Sequence, residues 1–137
     1  MYPVELTTPM AKDLTDFGFT ALTSASEVEE KLGSLEGTAL VVVNSVCGCA
    51  AANARPGAKN SVQNEKSPDN LFTVFAGVDK DAVNKVREFL LPYPPSSPAI
   101  ALFKDGNLVH MLERMHIEGR SADMISDHLK KAYDHFC

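Results

Sequence analysis

Thr38-Ala39-Leu40-Val41-Val42-Val43-Asn44-Ser45-Val46-Cys47-Gly48-Cys49-Ala50-Ala51 is the stretch on which the reading of this chain turns. Thr38 to Val43 reads as a strand. Its apolar residues are continuous rather than alternating, as expected of a strand covered on both faces of a sheet. The cysteine pair follows at once, and after it an alanine-rich stretch, Ala50 to Lys59, reads as a helix with a kink or an end near Pro56-Gly57. A strand that runs through Cys47-Gly48-Cys49 into a helix puts Cys47 near a helix N-terminus. Unpaired N–H groups and the helix dipole favour an anion there, so a thiolate is stabilised. Cys49 stands close enough to attack a mixed disulfide formed on Cys47. Gly48, without a side chain, lets the backbone bend and a substrate approach. A disulfide between cysteines one residue apart closes a small ring, so easy reduction is expected, and the pair suits exchange better than stapling.

Other readings of the pair stay open at this level. Two cysteines after an apolar strand are also compatible with small buried hydrophobes. Soft thiolates suit zinc or copper(I), but the pair supplies only two ligands. Cys137 and one of His110, His116, His128 or His135 would have to complete a metal site, and no recognised ligand spacing links them; no metal is expected.

Outward from this stretch, residues 8–17 are predicted as a helix, with Thr8 as cap and Pro9 in the first helical position. Residues 25–32 are predicted as a second, with Ser26 as candidate N-cap and Glu29 three residues on. A polar loop over residues 60–70 precedes a second buried strand, Leu71 to Ala76. A helix from Asp79 or Lys80 to Leu91 carries Ala82, Val83, Val86, Phe89 and Leu90 on one side. Pro92-Tyr93-Pro94-Pro95-Ser96-Ser97-Pro98 cannot be helix and leads into a third strand, Ala99 to Phe103. Asp105-Gly106 is a tight-turn pair, after which Leu108 to Leu112 returns antiparallel. Met124, Ile125, Leu129, Ala132, Tyr133 and Phe136 form the apolar stripe of a final helix. Strands alternating with helices, then a hairpin and a helix, imply a mixed central sheet with helices on both faces.

The chain has 137 residues, 45% hydrophobic, which suits one domain over residues 1–137. A net charge of −5 with interspersed signs argues against a nucleic-acid partner. Neither a spanning segment nor a basic amphipathic helix is visible, so no membrane partner is expected. The N-terminus lacks a basic segment followed by an apolar stretch, and a cytoplasmic location is expected. Three cysteines do not make a structural disulfide framework.

Ser97-Pro98 at the head of a strand, followed by Ala99-Ile100-Ala101-Leu102-Phe103-Lys104-Asp105-Gly106, resembles the thioredoxin superfamily. The resemblance implies a three-layer α/β/α fold, a cis Ser97–Pro98 bond lying against the cysteines, and backbone hydrogen bonding from Ser97 to a bound peptide or thiol. A trans strand-starting proline is the alternative. The stretch from Leu40 to Ala51 is similar, more closely, to the bacilliredoxin family. So are Ala54-Arg55-Pro56, Pro68-Asp69-Asn70, Val74-Phe75-Ala76-Gly77-Val78-Asp79-Lys80, Pro95-Ser96-Ser97-Pro98, His116-Ile117-Glu118-Gly119 and the terminal Cys137.

That resemblance implies a thiol–disulfide oxidoreductase that removes bacillithiol from S-bacillithiolated client proteins. Cys47 would be the attacking thiolate and Cys49 the resolving thiol, with Gly48, Ser97 and Pro98 contacting substrate. Bacillithiol is then the exchanging small thiol, no resident cofactor is implied, and a separate reductase reopens the Cys47–Cys49 disulfide. Cys137 is a candidate accessory thiol or an inert surface one. Arg114 and His116 either line the site or bind an acidic thiol, or else belong to a solvated polar cluster, the last being the simpler reading; Arg55 either helps stabilise a thiolate or carboxylate or, more simply, makes a surface ion pair. A general protein disulfide reductase or isomerase, a thiol metal-binding module and a redox sensor are the competing functions. The absence of a tryptophan before the cysteines, and their closer spacing, point away from a general thioredoxin role.

Overall fold

A computed structural model describes residues 2–137. In chain order the elements are α1 (Val4–Thr15), β1 (Thr20–Ala21), α2 (Ala25–Gly33), β2 (Thr38–Asn44), a widened helical turn (Ala50–Ala54) continuing into α3 (Arg55–Ser61), β3 (Asn70–Phe75), α4 (Lys80–Phe89), β4 (Ala99–Lys104), β5 (Asn107–Leu112), α5 (Arg114–Ile117) and α6 (Ala122–Phe136). The five strands form one sheet in the order β1-β3-β2-β4-β5. β3 runs parallel to both β1 and β2, while β4 is antiparallel to β2 and to β5.

The central strand β2 is buried at every position, which is why its sequence does not alternate. Its side chains still part by face. Ala39, Val41 and Val43 join Val28, Leu32, Val83 and Val86 of α2 and α4 in one core. Leu40 and Val42 join Leu14, Ala54, Ala58, Ile125, Leu129 and Tyr133 in the other, beneath α1, α3 and α6. The result is the three-layer α/β/α arrangement with a mixed sheet and a terminal hairpin plus helix, as the sequence implied.

Several local expectations are corrected. α1 begins at Val4, with Pro9 inside it, because the Pro3 carbonyl accepts from Leu6 and Thr7 N–H (3.1 and 3.2 Å) and opens the helix earlier. The bond Pro9 cannot make would have gone to the carbonyl of Glu5, an exposed residue that water can serve. The cap of α2 is Ser24, not Ser26: Ser24 Oγ accepts from Glu27 N–H at 3.2 Å, and the Glu27 carboxylate reaches back to Thr23 N–H. Of the kink or end expected near Pro56-Gly57, the end is not found: the helix is distorted just before Pro56 and continues. The widened turn before it, in which Arg55 N–H bonds to the Ala50 carbonyl, relieves the clash of the proline ring with the carbonyl four residues back, and α3 continues to Ser61. The two-residue β1 and the single turn α5 were not foreseen, since neither is long enough to show a period.

Candidate active site

Sheet topology brings the site together. β2 and β3 end at the same edge of the sheet, β4 starts there, and β5, antiparallel to β4, returns to it. Val43 pairs with Ala99 and Ile100 with Leu112. Cys47, Pro98 and Arg114 are therefore neighbours, each lying just beyond its strand. Ser97–Pro98 is cis, as is Leu91–Pro92.

The helix begins immediately after Cys47. The Cys47 carbonyl accepts from Ala50 N–H (2.9 Å) and Ala51 N–H (3.4 Å), leaving the first N–H groups of that turn near the sulfur. The approach to it is fixed by short polar bonds. Ser45 N–H donates to Asn44 Oδ1 at 2.9 Å, and Cys47 N–H donates to Ser45 Oγ at 3.2 Å. Asn44 is held in turn by donating to the Met10 carbonyl (3.1 Å) and by accepting from Arg55 Nη1 (3.3 Å). Arg55 is buried, with Nε 3.2 Å from Asp13 Oδ2. It is thus a buried brace of the cysteine loop and not the surface ion pair its sequence position suggested.

The two sulfurs lie 2.7 Å apart and both cysteines are free thiols. Their ionisation is opposite in direction. Cys47 is lowered from the ordinary thiol value, first by the hydrogen bond from the Cys49 thiol, then by Cys49 N–H, with the Arg114 charge and Ala50 N–H adding to it. Cys49 is pushed up to about 11, by burial first and then by its hydrogen bond to Cys47 and the Cys47 charge. The shared bond therefore runs from the Cys49 S–H to the Cys47 thiolate. Cys47 is thus the sulfur disposed to be the thiolate and Cys49, chiefly through burial, the one disposed to stay protonated.

Arg114 completes the constellation, 67 residues from Cys47 in sequence. Its Nη2 donates to Cys47 Sγ at 3.2 Å and its Nη1 to the Ser97 carbonyl at 3.4 Å, while Nε pairs with Glu118. Its backbone N–H donates to Ser96 Oγ at 3.3 Å. The turn that carries it is capped reciprocally by Glu113 and His116, with Glu113 N–H donating to His116 Nδ1 at 3.1 Å. Of the two residues after the last strand, Arg114 lines the site and His116 is a capping residue. A clue in the sequence is the Arg114…Glu118 spacing of four, which signals one helical turn that fixes a guanidinium.

Gly48 is exposed, and a methyl group placed on it would meet nothing within 4 Å, so the space beside Cys47 is open. Cys137 is not part of this grouping. Its thiol is raised first by burial, with Thr38 at the start of β2 and Asp69 among the groups beside it. The seven-residue strand from Thr38 to Asn44 spans roughly 20 Å, so Cys137 does not reach Cys47 within one molecule. His110 and His128 pair with each other, Nε2 to Nε2 at 2.8 Å. Among the described residues no three His, Cys, Asp or Glu side chains gather as a metal site would require, and no helix is long and apolar enough to cross a membrane. A surface depression of about 440 Å³ lined by Pro9, Met10, Lys12, Asp13, Asp16 and Arg55 includes neither site cysteine.

Residues 2–137 match a family model described as disulphide isomerase. The chain is 62% identical over 134 residues to a bacilliredoxin of Cytophaga hutchinsonii, covering 98% of each. It is 49% identical to a bacilliredoxin of Halalkalibacterium halodurans, covering 99% of this chain and 94% of the relative. Among solved structures it resembles the oxidised form of mitochondrial thioredoxin 3 from Saccharomyces cerevisiae, with a TM-score of 0.58 at 18% identity over 90% of this chain and 98% of that one. The oxidised thioredoxin of Plasmodium falciparum gives a TM-score of 0.60 at 16% identity, over 85% and 99%. At these identities the likeness concerns the fold alone.

Proposed function

Because this chain belongs to the bacilliredoxin family and is a thiol–disulfide oxidoreductase of thioredoxin-like fold, we propose that its reaction is the removal of bacillithiol from S-bacillithiolated proteins. The observation that carries the reading is the pair of free thiols 2.7 Å apart with the Arg114 guanidinium on Cys47 Sγ, an arrangement that lowers Cys47 and raises Cys49. Cys47 thiolate attacks the bacillithiol sulfur of the client's mixed disulfide. The new bond joins Cys47 to bacillithiol, and the client sulfur leaves as a thiolate. Cys49 then loses its proton and attacks Cys47 Sγ, expelling bacillithiol and forming the Cys47–Cys49 disulfide. A separate cytoplasmic reductase, or a second small thiol, returns the pair to dithiol. No resident cofactor takes part. The open face at Gly48 and the loop before Pro98 receive the client.

The test is turnover of a bacillithiolated model protein by wild type, Cys47→Ser and Cys49→Ser, read by intact mass. Wild type should clear the adduct, Cys49→Ser should accumulate it on Cys47, and Cys47→Ser should be inert. Full activity in Cys47→Ser would remove the nucleophile assignment. The matching family description, disulphide isomerase, favours a second reading, exchange of protein disulfides. Reduction of a scrambled-disulfide protein faster than release of the small thiol would put that reading first.

A further inference from the structure

The Arg114 guanidinium has a feature that thiolate stabilisation alone does not use. Each of its three nitrogens has a different partner: Glu118 on Nε, the Ser97 carbonyl on Nη1 and the Cys47 sulfur on Nη2. The first two involve no reacting atom. The third does, and attack by Cys47 on a mixed disulfide converts the thiolate into a neutral disulfide sulfur. The step balances without an added oxidant or reductant: the Cys47–small-thiol bond forms, the bond from small thiol to client breaks, and the electron pair departs on the client sulfur. At that moment Nη2 loses its anionic partner, while the small thiol has just become tethered beside it.

We propose that Arg114 is a specificity residue that passes from the Cys47 thiolate to a carboxylate of the small thiol captured on Cys47, so that the enzyme selects carboxylate-bearing thiols. The inference rests on the reaction proposed above and names the chemical class of its substrate. Three observations carry it. The guanidinium is half-exposed, with 47% of its side chain accessible, so a ligand can reach it. Its orientation is fixed by Glu118, Ser97 and the capped turn, so it is not a free surface cation. The position next to Cys47 is Gly48, with open space where a side chain would intrude. Glu118 fixes the guanidinium but also opposes an incoming carboxylate, so it limits the preference.

The experiment uses one single-cysteine client loaded in turn with 3-mercaptopropionate, 2-mercaptoethanol or cysteamine, and reads second-order rates of adduct removal by intact mass. The client is constant, so an acidic residue of its own cannot produce a difference between thiols. Any change in the ionised fraction of Cys47 cancels in the ratio of rates. Wild type should prefer the mercaptopropionate adduct over the mercaptoethanol one by about threefold to fivefold, the scale of an exposed ion pair, with cysteamine slowest, and the preference should fall as salt rises. Arg114→Gln should bring the ratio to about one, Arg114→Lys should keep part of it, and Glu118→Gln should raise it. Equal rates in wild type, or an unchanged ratio in Arg114→Gln, would overturn the inference while leaving the thiol-removal reaction in place. Failure of wild type to remove any of the three adducts would remove the reaction, and this inference with it.

Discussion

The opposed ionisation of the two cysteines predicts that Cys49 is released for attack only when Cys47 loses its charge. Replacing Cys47 by Asp retains a negative hydrogen-bond acceptor beside Cys49, and replacing it by Asn gives a neutral side chain of the same shape. Cys49 stands at about 11, against 9.0 for an ordinary thiol, and burial is the largest of its raising causes, ahead of the Cys47 hydrogen bond and charge. At pH 8 a thiol at 11 is ionised to about one part in a thousand, and one at 9.0 to about one in ten. Complete loss of the shift would therefore speed alkylation about a hundredfold. Burial persists in both variants, so the expected gain of Asn over Asp is about tenfold or less. The assay is iodoacetamide modification between pH 7 and 11, in a Cys137→Ser background so that Cys49 is the one remaining thiol, followed by intact mass. The Asn variant should react faster, with its midpoint at lower pH. Equal rates and midpoints would refute the idea that the Cys47 charge holds Cys49 protonated, and resolution would then need another trigger.

Two further predictions concern the scaffold behind the site. A Cβ on Gly57 would stand 2.7 Å from Ile125 Cγ2 and 3.2 Å from the Ala122 carbonyl, where α3 packs on α6. Gly57→Ala should thus lose stability by up to about 2 kcal/mol, since overpacking costs about 1–3 kcal/mol against a helix-propensity gain of about 1 kcal/mol; a raised Tm would show that the interface gives way. His110 and His128 are both lowered from 6.5, by burial first; the charges of His128 and His116 further oppose protonation of His110, and those of Arg120, His116 and Lys131 that of His128. A base lowered by folding takes up its proton more readily unfolded, so stability should be full above about pH 6.5 and fall on acidification through that region. Urea midpoints at pH 7.5 and 5.5 should differ less in His128→Gln than in wild type, and an equal difference would place the acid sensitivity elsewhere.

Local chemistry made much of this molecule readable in advance. The continuous apolar run of β2 declared a strand covered on both faces, because alternation is lost when neither face meets water. Helical stripes such as Met124 to Phe136 and the Asp105-Gly106 turn declared their elements for equally local reasons. The passage from strand through Cys47-Gly48-Cys49 into a helix showed which cysteine caps the first turn. Elements too short to show a period, β1 and α5, stay hidden, and the sequence puts Pro9 at a helix start and leaves Pro56 between a kink and an end because the compensations around them are geometric.

Tertiary structure decided the partners. Arg114 meets Cys47 because β5 runs back to the edge at which β2 ends, and no spacing along the chain records that. Arg55 became a buried brace because Asn44 and Asp13 converge on it from β2 and α1. Cys137, equal to the other cysteines as a letter, ends at the opposite edge of the sheet beside Thr38. A sequence specifies the chemistry each residue can perform from its own side chain and near neighbours. Which residues perform it together depends on strand direction and register, and these are set by burial summed over the whole sheet.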